Sequence, residues 1–173
     1  RDGGMSAFDA LAETYDERFS FSPLGRLLRQ AVWRRLDPLL EPGQLWLDLG
    51  CGSGEDALHL AGRGCRVLGL DGSANMVRLA RRKADMSGLG PALVSFRQAD
   101  LDDLDAPRAA LAAGADGCLA NFGVLNGVAD PARLASQLAS CLAPGASFLA
   151  VTMGPICAWE IGGSLLGARP GRA

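Results

Sequence analysis

The chain has 173 residues, 49% of them apolar and 21% charged, a balance typical of one domain with a packed core rather than of a disordered chain. The formal net charge is −2, which argues against the strongly basic surface of a nucleic-acid-binding protein. No apolar stretch is long enough to cross a bilayer and no signal peptide is recognisable, so a cytoplasmic protein without a membrane span is expected.

Residues 1–44 are predicted to form an N-terminal helical arm and cap. Apolar positions recur at roughly helical spacing over 6–19, which favours a short helix or an arm. A longer helix is predicted over 24–40, and it should end or kink near Asp37 because Pro38 cannot continue it.

Residues 45–153 alternate between short apolar runs and stretches with helical spacing. Strands are predicted at 45–49, 66–70, 93–97, 117–121 and 147–152. Helices are predicted at 55–62, 73–87, 105–113 and 131–142. Ser73 and Asp130 stand where side chains that cap helices are preferred. This alternation predicts a doubly wound α/β fold, with a mainly parallel sheet covered on both faces.

The cysteines and the single histidine do not predict a metal site. The five cysteines are widely spaced, and no two of them form a CxxC pair. Several stand in apolar runs, where a free thiol behaves as a small hydrophobic group, and this favours a reducing compartment.

The strongest functional pattern is LWLDLGCGSGE, residues 45–55. A buried strand reaches Asp48, three glycines follow at alternate positions, Gly50, Gly52 and Gly54, and a helix then begins. Glycines permit a tight turn and the close approach of a ligand to the backbone. Since ligands of open parallel sheets bind beyond the carboxyl ends of the strands, this junction is the candidate binding site.

A second acidic residue, Asp71, ends the next predicted strand, where it can accept hydrogen bonds from both hydroxyls of a ribose. The dinucleotide fingerprint G-x-G-x-x-G, counted from Gly50, would need its third glycine where this chain has Glu55. A carboxylate at the start of a helix repels a pyrophosphate, so a cofactor without phosphate, and a cationic one in particular, fits better.

The run LDLGCGSG closely resembles the first glycine-rich motif of class I S-adenosylmethionine-dependent methyltransferases, and the resemblance extends over about residues 8–153. It implies a Rossmann-like sheet and S-adenosylmethionine as the cofactor. It also implies that the methionine end and the ribose of the cofactor lie among Asp48, Gly50, Cys51, Gly52 and Gly54.

The run GLDGSANMV resembles the second motif of that family. The resemblance implies that Asp71 holds the ribose hydroxyls. It also implies that Gly72, Ser73 and Met76 lie near the adenine.

Three other runs extend the resemblance. RQADLDDL is similar to the third motif, which implies that Asp100 accepts from the adenine amino group, with Leu101 beside it. GCLANFGVLNGV is similar to the fourth, which implies that Asn121 and Phe122 close the pocket near the methyl group. SAFDALAETYDERF is similar to the arm of small-molecule members, where Tyr15 would fold over the cofactor.

Each of these assignments has a structural alternative. The alternative for Asp48 is that it serves simply to cap the glycine turn. The alternative for Asp71 is an exposed turn residue, and for Tyr15 a place in the core. His59, the single histidine, follows the glycine loop within a helix and is predicted to be structural rather than a general base. We therefore assign no catalytic residue from the sequence.

The resemblance implies methyl transfer, and the charge and the type of arm favour a small-molecule acceptor, with no nucleic acid expected. Because the methyl group of a sulfonium is already activated, the protein mainly has to position the acceptor. Two alternatives stay open, a non-catalytic S-adenosylmethionine-binding protein and a nucleotide-cofactor oxidoreductase. The oligomeric state is left open.

The C-terminal segment, residues 154–173, does not resemble the end of the family's fold. That fold has a seven-stranded sheet, whereas the last strand predicted here ends near Thr152. The spacing over 154–173 is loosely helical and is broken by Gly162 and Gly163. We therefore expect the last two strands to be missing and this segment to begin a lid-like element.

Overall fold

The structure, a computed structural model, describes residues 16–101, 104 and 114–154. A parallel sheet of five strands lies at the centre of these residues. Its strands are β1 (Leu45–Leu49), β2 (Arg66–Asp71), β3 (Val94–Gln98), β4 (Ala115–Ala120) and β5 (Leu142–Ala150). The described α-helices are α1 (Pro23–Leu36), α2 (Glu55–Gly62), α3 (Ala74–Met86) and α4 (Pro131–Cys141). Short helical turns lie at Asp16–Ser20, Asp37–Leu39 and Val124–Gly127.

The strand order is β3-β2-β1-β4-β5, and the paired strands are parallel. The chain winds from β1 outward to β2 and β3, and then returns to place β4 on the other side of β1. This reversal leaves a crevice at the carboxyl ends of β1, β2 and β4, the place where ligands bind in open parallel sheets. The order confirms the predicted doubly wound α/β fold.

Alternate residues of β1 face opposite layers of the molecule, as the two-residue period of a strand requires. Trp46 is buried in the layer that contains α1, α2 and α3. Leu47 and Leu49 are buried in the layer that contains α4 and Leu104. The same alternation places Asp48 on the Trp46 face, beneath α2.

Side-chain caps begin the helices on either side of the crevice. The Ser73 hydroxyl accepts from the Met76 N–H at 3.2 Å, and the Asp130 carboxylate accepts from the Arg133 N–H at 3.0 Å. Each cap satisfies a backbone donor that the helix itself leaves unpaired. Both predicted caps are therefore confirmed.

Helix α1 ends before Pro38, as expected, but the side of the helix that faces the core differs from a simple apolar stripe. Leu24 and Leu27 are exposed by 63% and 58%, whereas Arg29 is only 7% exposed. Arg29 shares the buried face with Val32 because its charge is paired beneath α1 with a carboxylate of α2.

Strand β5 begins earlier than the strand predicted at 147–152. Leu142 already pairs with Ala115, the register then shifts, and regular pairing resumes at Ser147. Gly145, with a φ of 84°, lies within this irregular part. Pro144 and Gly145, a pair that by itself favours a turn, are therefore included within the strand.

Several predictions fall outside the described residues: Tyr15 with most of the arm, the helix at 105–113, and the lid-like segment beyond residue 154. The division of the chain after residues 44 and 153 stays a prediction. None of the described helices has the length and apolar character needed to span a membrane.

The contact between Gly117 and Trp46 provides a test of the central packing. The two residues are opposite each other in β4 and β1, and a Cβ on Gly117 would overlap the buried indole of Trp46. We expect Gly117→Ala to lower the free energy of unfolding by about 1–3 kcal/mol, the usual cost of overpacking. Urea denaturation followed by circular dichroism measures this change.

The matched control is Gly62→Ala at the end of α2, where an added Cβ has no neighbour within 4 Å. This variant should be at least as stable as the parent, because alanine favours a helix over glycine. Equal stability of both variants would contradict the assigned packing of β4 against β1.

Candidate functional site

Two adjoining cavities open at the crevice beyond the carboxyl ends of the strands. The first, of about 430 Å³, is lined by Phe122 and is named the Phe122 cavity. The second, of about 470 Å³, is lined by Asp100 and is named the Asp100 cavity. Gly50, Asp71, Val124 and Gly127 line both, so the two cavities share one wall.

The glycine loop, residues 50–54, forms that wall by turning back on itself in a left-handed conformation. Gly50 and Gly54 have φ values of 62° and 85°, which residues with a side chain rarely adopt. A Cβ on Gly50 would overlap Val124, and one on Gly54 would press against Ala80 and Phe96. Gly50 and Gly54 are therefore required by backbone conformation and by space together, whereas Gly52, with a φ of 51° and no neighbour within 4 Å of an added Cβ, is required by backbone conformation alone.

The Asp71 carboxylate ties the glycine loop to the start of α3. One oxygen accepts from the Gly52 N–H and the other from the Ser73 N–H, each at 2.8 Å. Asp71 ends β2 and lines both cavities. The two backbone donors hold a negative charge at a fixed point of the shared wall.

A buried polar cluster, the Asp56 cluster, lies on the other side of the Phe122 cavity and consists of Arg29, Trp33, Asp56 and Asn121. Asp56, 5% exposed, accepts from the Trp33 indole N–H at 2.7 Å and from the Asn121 amide at 2.9 Å. Its carboxylate also forms an ion pair of 2.7 Å with the Arg29 guanidinium. The cluster thus joins α1, α2 and the end of β4.

Phe122 follows Asn121 and has a φ of 52°, a left-handed conformation that is uncommon for a residue with a side chain. Its N–H donates to the Asn121 side-chain oxygen at 2.8 Å. Its ring meets Phe19 edge to face at 5.0 Å and lies 4.8 Å below the Arg29 guanidinium. These contacts fix the ring in the wall of the Phe122 cavity.

Asp48 lies beneath the glycine loop and is almost fully buried. Burial raises the pKa of its carboxyl well above the ordinary value, and the nearby charges of Asp56 and Asp71 act in the same direction. Its Oδ2 atom has no hydrogen-bond partner among the described residues. Asp48 is therefore held as a protonated group over a wider pH range than an exposed aspartate.

A second charged cluster lies behind the glycine loop. Lys83 of α3 pairs with Glu55 and, at 2.9 Å, with Asp16, which also accepts a hydrogen bond from Ser53. Burial by itself raises the pKa of Asp16, but the hydrogen bonds from Ser53 and Lys83 outweigh it and hold that pKa below the ordinary value. In the part of the chain that the structure describes, two carboxylates against one ammonium leave a net negative charge beside the start of α2. The repulsion of a phosphate expected from Glu55 would therefore come from the cluster as a whole.

The structure brings most of the predicted site residues together. Those lining the Phe122 cavity are Gly50, Cys51, Gly52, Asp71, Met76, Asn121 and Phe122. Those lining the Asp100 cavity are Gly50, Asp71, Gly72, Ser73, Asp100 and Leu101. Asp48 and Gly54 line neither of the two and support the loop from beneath, and Tyr15 is outside the described residues.

His59 is not among the residues that line the two cavities. Its ring stacks on Trp33 with the centroids 3.9 Å apart, and its Nε2 atom is 2.6 Å from the Asp37 carboxylate. This position is structural, and it joins α2 to the end of α1.

Arg29 and Asp56 are the site residues that the sequence reasoning missed. Their signal was the position of Arg29, which follows Gly25 by four residues and precedes Val32 by three on the face that is buried. A charged residue on a buried face needs a partner, and the only way to find that partner is through the tertiary structure.

The far wall of the Phe122 cavity was also missed. Asn126 donates to the Met153 carbonyl at 2.9 Å and accepts from the Met153 N–H at 3.0 Å. This pairing joins the turn after β4 to the segment after β5. Both residues line the cavity, so the segment after β5 contributes to its shape.

Comparison with known proteins assigns this architecture. The sequence profile described as "Methyltransferase domain" matches residues 47–145. The chain is 31% identical over 145 residues to the tRNA 5-carboxymethoxyuridine methyltransferase of Escherichia coli K12, covering 80% of this chain and 52% of that protein. It is 34% identical over 103 residues to the 2-phytyl-1,4-naphtoquinone methyltransferase of Trichormus variabilis, covering 56% of this chain and 43% of that protein. The chain thus spans about half the length of these relatives.

Among solved structures, the DhpI–SAH complex is similar to this chain with a TM-score of 0.67 and 32% identity. The match covers 88% of this chain and 69% of the DhpI chain.

The buried carboxyl of Asp48 generates a pH-dependent prediction. A carboxyl whose pKa is raised by folding contributes stability that is present below the ordinary aspartate pKa and is lost as the pH rises through the folded pKa. Asp48→Asn cannot titrate and so does not lose this stability. As the pH rises over that range, the free energy of unfolding of the variant should therefore increase relative to that of the parent by up to about 1.4 kcal/mol per pH unit.

Urea denaturation of both proteins between about pH 4 and pH 8 measures this difference, with Asp85→Asn on the exposed end of α3 as the control. The control should follow the parent at every pH. A constant difference between Asp48→Asn and the parent would show that the Asp48 carboxyl titrates normally.

Proposed function

The chain belongs to the class I S-adenosylmethionine-dependent methyltransferase family, so its cofactor is S-adenosylmethionine, and we propose that it binds this cofactor across the two cavities and transfers the methyl group to a small-molecule acceptor. The observation that carries the proposal is the Asp71 carboxylate, held by two backbone N–H groups in the wall that both cavities share. A ribose placed there would donate both hydroxyls to it.

The residues of the Phe122 cavity fit the amino acid end of the cofactor. Arg29 lines this cavity, and its buried Nε atom has no hydrogen-bond partner among the described residues. The guanidinium would donate to a ligand carboxylate in the cavity, and because Nε has almost no accessible surface, its own N–H would reach that acceptor only if the side chain moved. The negative charge of Asp16 and Glu55, which exceeds that of Lys83, favours the sulfonium and the ammonium groups nearby.

The residues of the Asp100 cavity fit an adenine. Asp100 provides a carboxylate that can accept from an exocyclic amino group, and Leu101 and Val128 provide apolar contact. Gln98 donates to the Gly72 carbonyl at 3.0 Å and so fixes the floor between β3 and the start of α3.

The bound cofactor would supply an activated methyl group on a sulfonium. The residues of the chain then have to position the acceptor and exclude water, which is sufficient for an in-line displacement when the acceptor needs no deprotonation. Phe122, Asn126 and Met153 line the Phe122 cavity, and we assign the acceptor to the space beside them.

The net charge of −2 supports a small molecule rather than RNA as the acceptor. The two relatives are named for a tRNA uridine and for a naphthoquinone, so both classes belong in the test. Methyl transfer from labelled S-adenosylmethionine would be compared for a small-molecule extract and for total RNA. Label in the small-molecule fraction supports the proposal, label in RNA replaces the acceptor class, and cofactor binding without transfer favours a non-catalytic binding protein.

Cofactor choice is tested by titration calorimetry with S-adenosylmethionine, S-adenosylhomocysteine and NAD. We expect both sulfur compounds to bind and NAD not to bind, because the glycine spacing and the negative cluster at the start of α2 disfavour a pyrophosphate. Binding of NAD with no response to the sulfur compounds would overturn the assignment.

The role of Asp71 is tested with Asp71→Ala, which should weaken S-adenosylhomocysteine binding by about 1–3 kcal/mol, or roughly fivefold to 150-fold. The loss arises because the charge-assisted hydrogen bonds to the ribose disappear and the Gly52 N–H loses its acceptor. Titration calorimetry measures the affinity, and thermal unfolding shows whether the fold survives. Asp85→Ala, at an exposed site on α3, is the matched control and should bind as the parent does; an unchanged affinity in Asp71→Ala would remove Asp71 from the site.

A further inference from the structure

We propose that Asp56 is a positioning residue of this site, which holds Arg29 and Asn121 in the geometry that receives the amino acid end of the cofactor. The inference rests on the proposed function, because it concerns how the chain prepares the Phe122 cavity for that ligand. Asp56 itself lines this cavity but contributes mainly through the two side chains that it binds.

The carboxylate of Asp56 connects parts of the chain that are far apart in the sequence. Its Oδ1 atom accepts from Trp33, and its Oδ2 atom contacts both Arg29 and Asn121, at 2.7 and 2.9 Å. Helix α1 is outside the sheet, so its angle to the cavity depends on such side-chain contacts. Asp56 is at the second position of α2, immediately after the glycine loop, and therefore couples α1 to the loop that faces the ligand.

The orientation of the Asn121 amide follows from Asp56. Because the amide nitrogen donates to the carboxylate, the amide oxygen is turned toward the backbone, where it accepts from the Phe122 N–H at 2.8 Å. That hydrogen bond supports the left-handed conformation of Phe122, whose φ is 52°. A different residue at position 56 would allow the amide to rotate and the Phe122 ring to move.

The orientation of Arg29 follows from Asp56 as well. The ion pair holds one edge of the guanidinium, and the Phe122 ring supports its face at 4.8 Å. The Nε atom has almost no accessible surface and no partner among the described residues, so it adds to the cost of burying the cluster. The ion pair and the ring together fix the orientation of a guanidinium that lines the cavity, which is expected of a group prepared for a ligand.

Stability alone is a weak explanation for this cluster. Burying an ion pair costs desolvation that its attraction offsets only in part, and well-packed apolar residues often serve as well or better. Asp48 adds a second buried carboxyl close to Asp56, which increases the cost. The cluster is better explained by the position that it imposes on Arg29, Asn121 and Phe122.

Two ligands separate a positioning role from a purely structural one. S-adenosylhomocysteine has the amino acid end, whereas 5′-deoxy-5′-methylthioadenosine has the adenosine and the sulfur without it. Titration calorimetry with both ligands would be carried out on the parent and on Asp56→Asn, with Asp85→Asn as the matched control. Asp85→Asn makes the same chemical change at an exposed residue of α3 that lines neither cavity.

We expect Asp56→Asn to weaken the affinity for S-adenosylhomocysteine at least tenfold and to change the affinity for methylthioadenosine by less than twofold. The control variant should change the affinity for either ligand by less than twofold. Asp56→Glu keeps the charge but displaces the carboxylate, so it should show the same selective loss, and it provides the test should Asp56→Asn not fold.

Equal losses of affinity for both ligands in the two Asp56 variants would show that Asp56 has a purely structural role and would overturn the proposal. Unchanged binding of both ligands would overturn it as well. If the parent binds neither ligand, the proposed function itself fails, and this inference fails with it.

Discussion

The structure depends on one geometric constraint, which is that the chain must reverse direction directly after β1 while packed against three neighbouring elements. The five residues of the glycine loop accomplish this, with Phe96 and Ala80 close on one side and Val124 on the other. The reversal sets the start of α2, and α2 carries Glu55 and Asp56 into the two charged clusters. The loop therefore determines the cavity wall and also which charged groups surround it.

The balance of charge around the loop explains why the site suits a cationic ligand. Among the described residues, Asp16, Glu55 and Asp56 are paired with two cations, Lys83 and Arg29, and Asp71 adds a further negative charge at the end of β2. Burial, and then the charges of Asp56 and Asp71, raise the pKa of Asp48, which opposes a further negative charge at that position. A ligand with positive charge near the loop relieves the repulsion among the carboxylates, whereas a phosphate would add to it.

The sequence predicts the features that depend on local chemistry, but it does not predict those that depend on long-range contacts. The glycine loop, the end of β2 and the caps Ser73 and Asp130 each follow from a few adjacent residues, and the structure has them as expected. The buried face of α1 could not be derived in the same way, because Arg29 is buried only through a carboxylate that lies 27 positions later in the chain. The early start of β5 was missed for a related reason, since pairing with β4 overrides a Pro-Gly turn signal.

The contact between Asp16 and the back of the glycine loop affects how the molecule responds to ionic strength. The side chains of Asp16 and Lys83 are only 13% and 18% exposed, so dissolved ions screen their attraction much less than that of a surface pair. The turn at Asp16–Ser20 should therefore stay attached to the loop at salt concentrations that abolish ordinary surface ion pairs. Since the same turn brings Phe19 against Phe122, salt-resistant attachment at one end of the site also preserves an aromatic contact at the other.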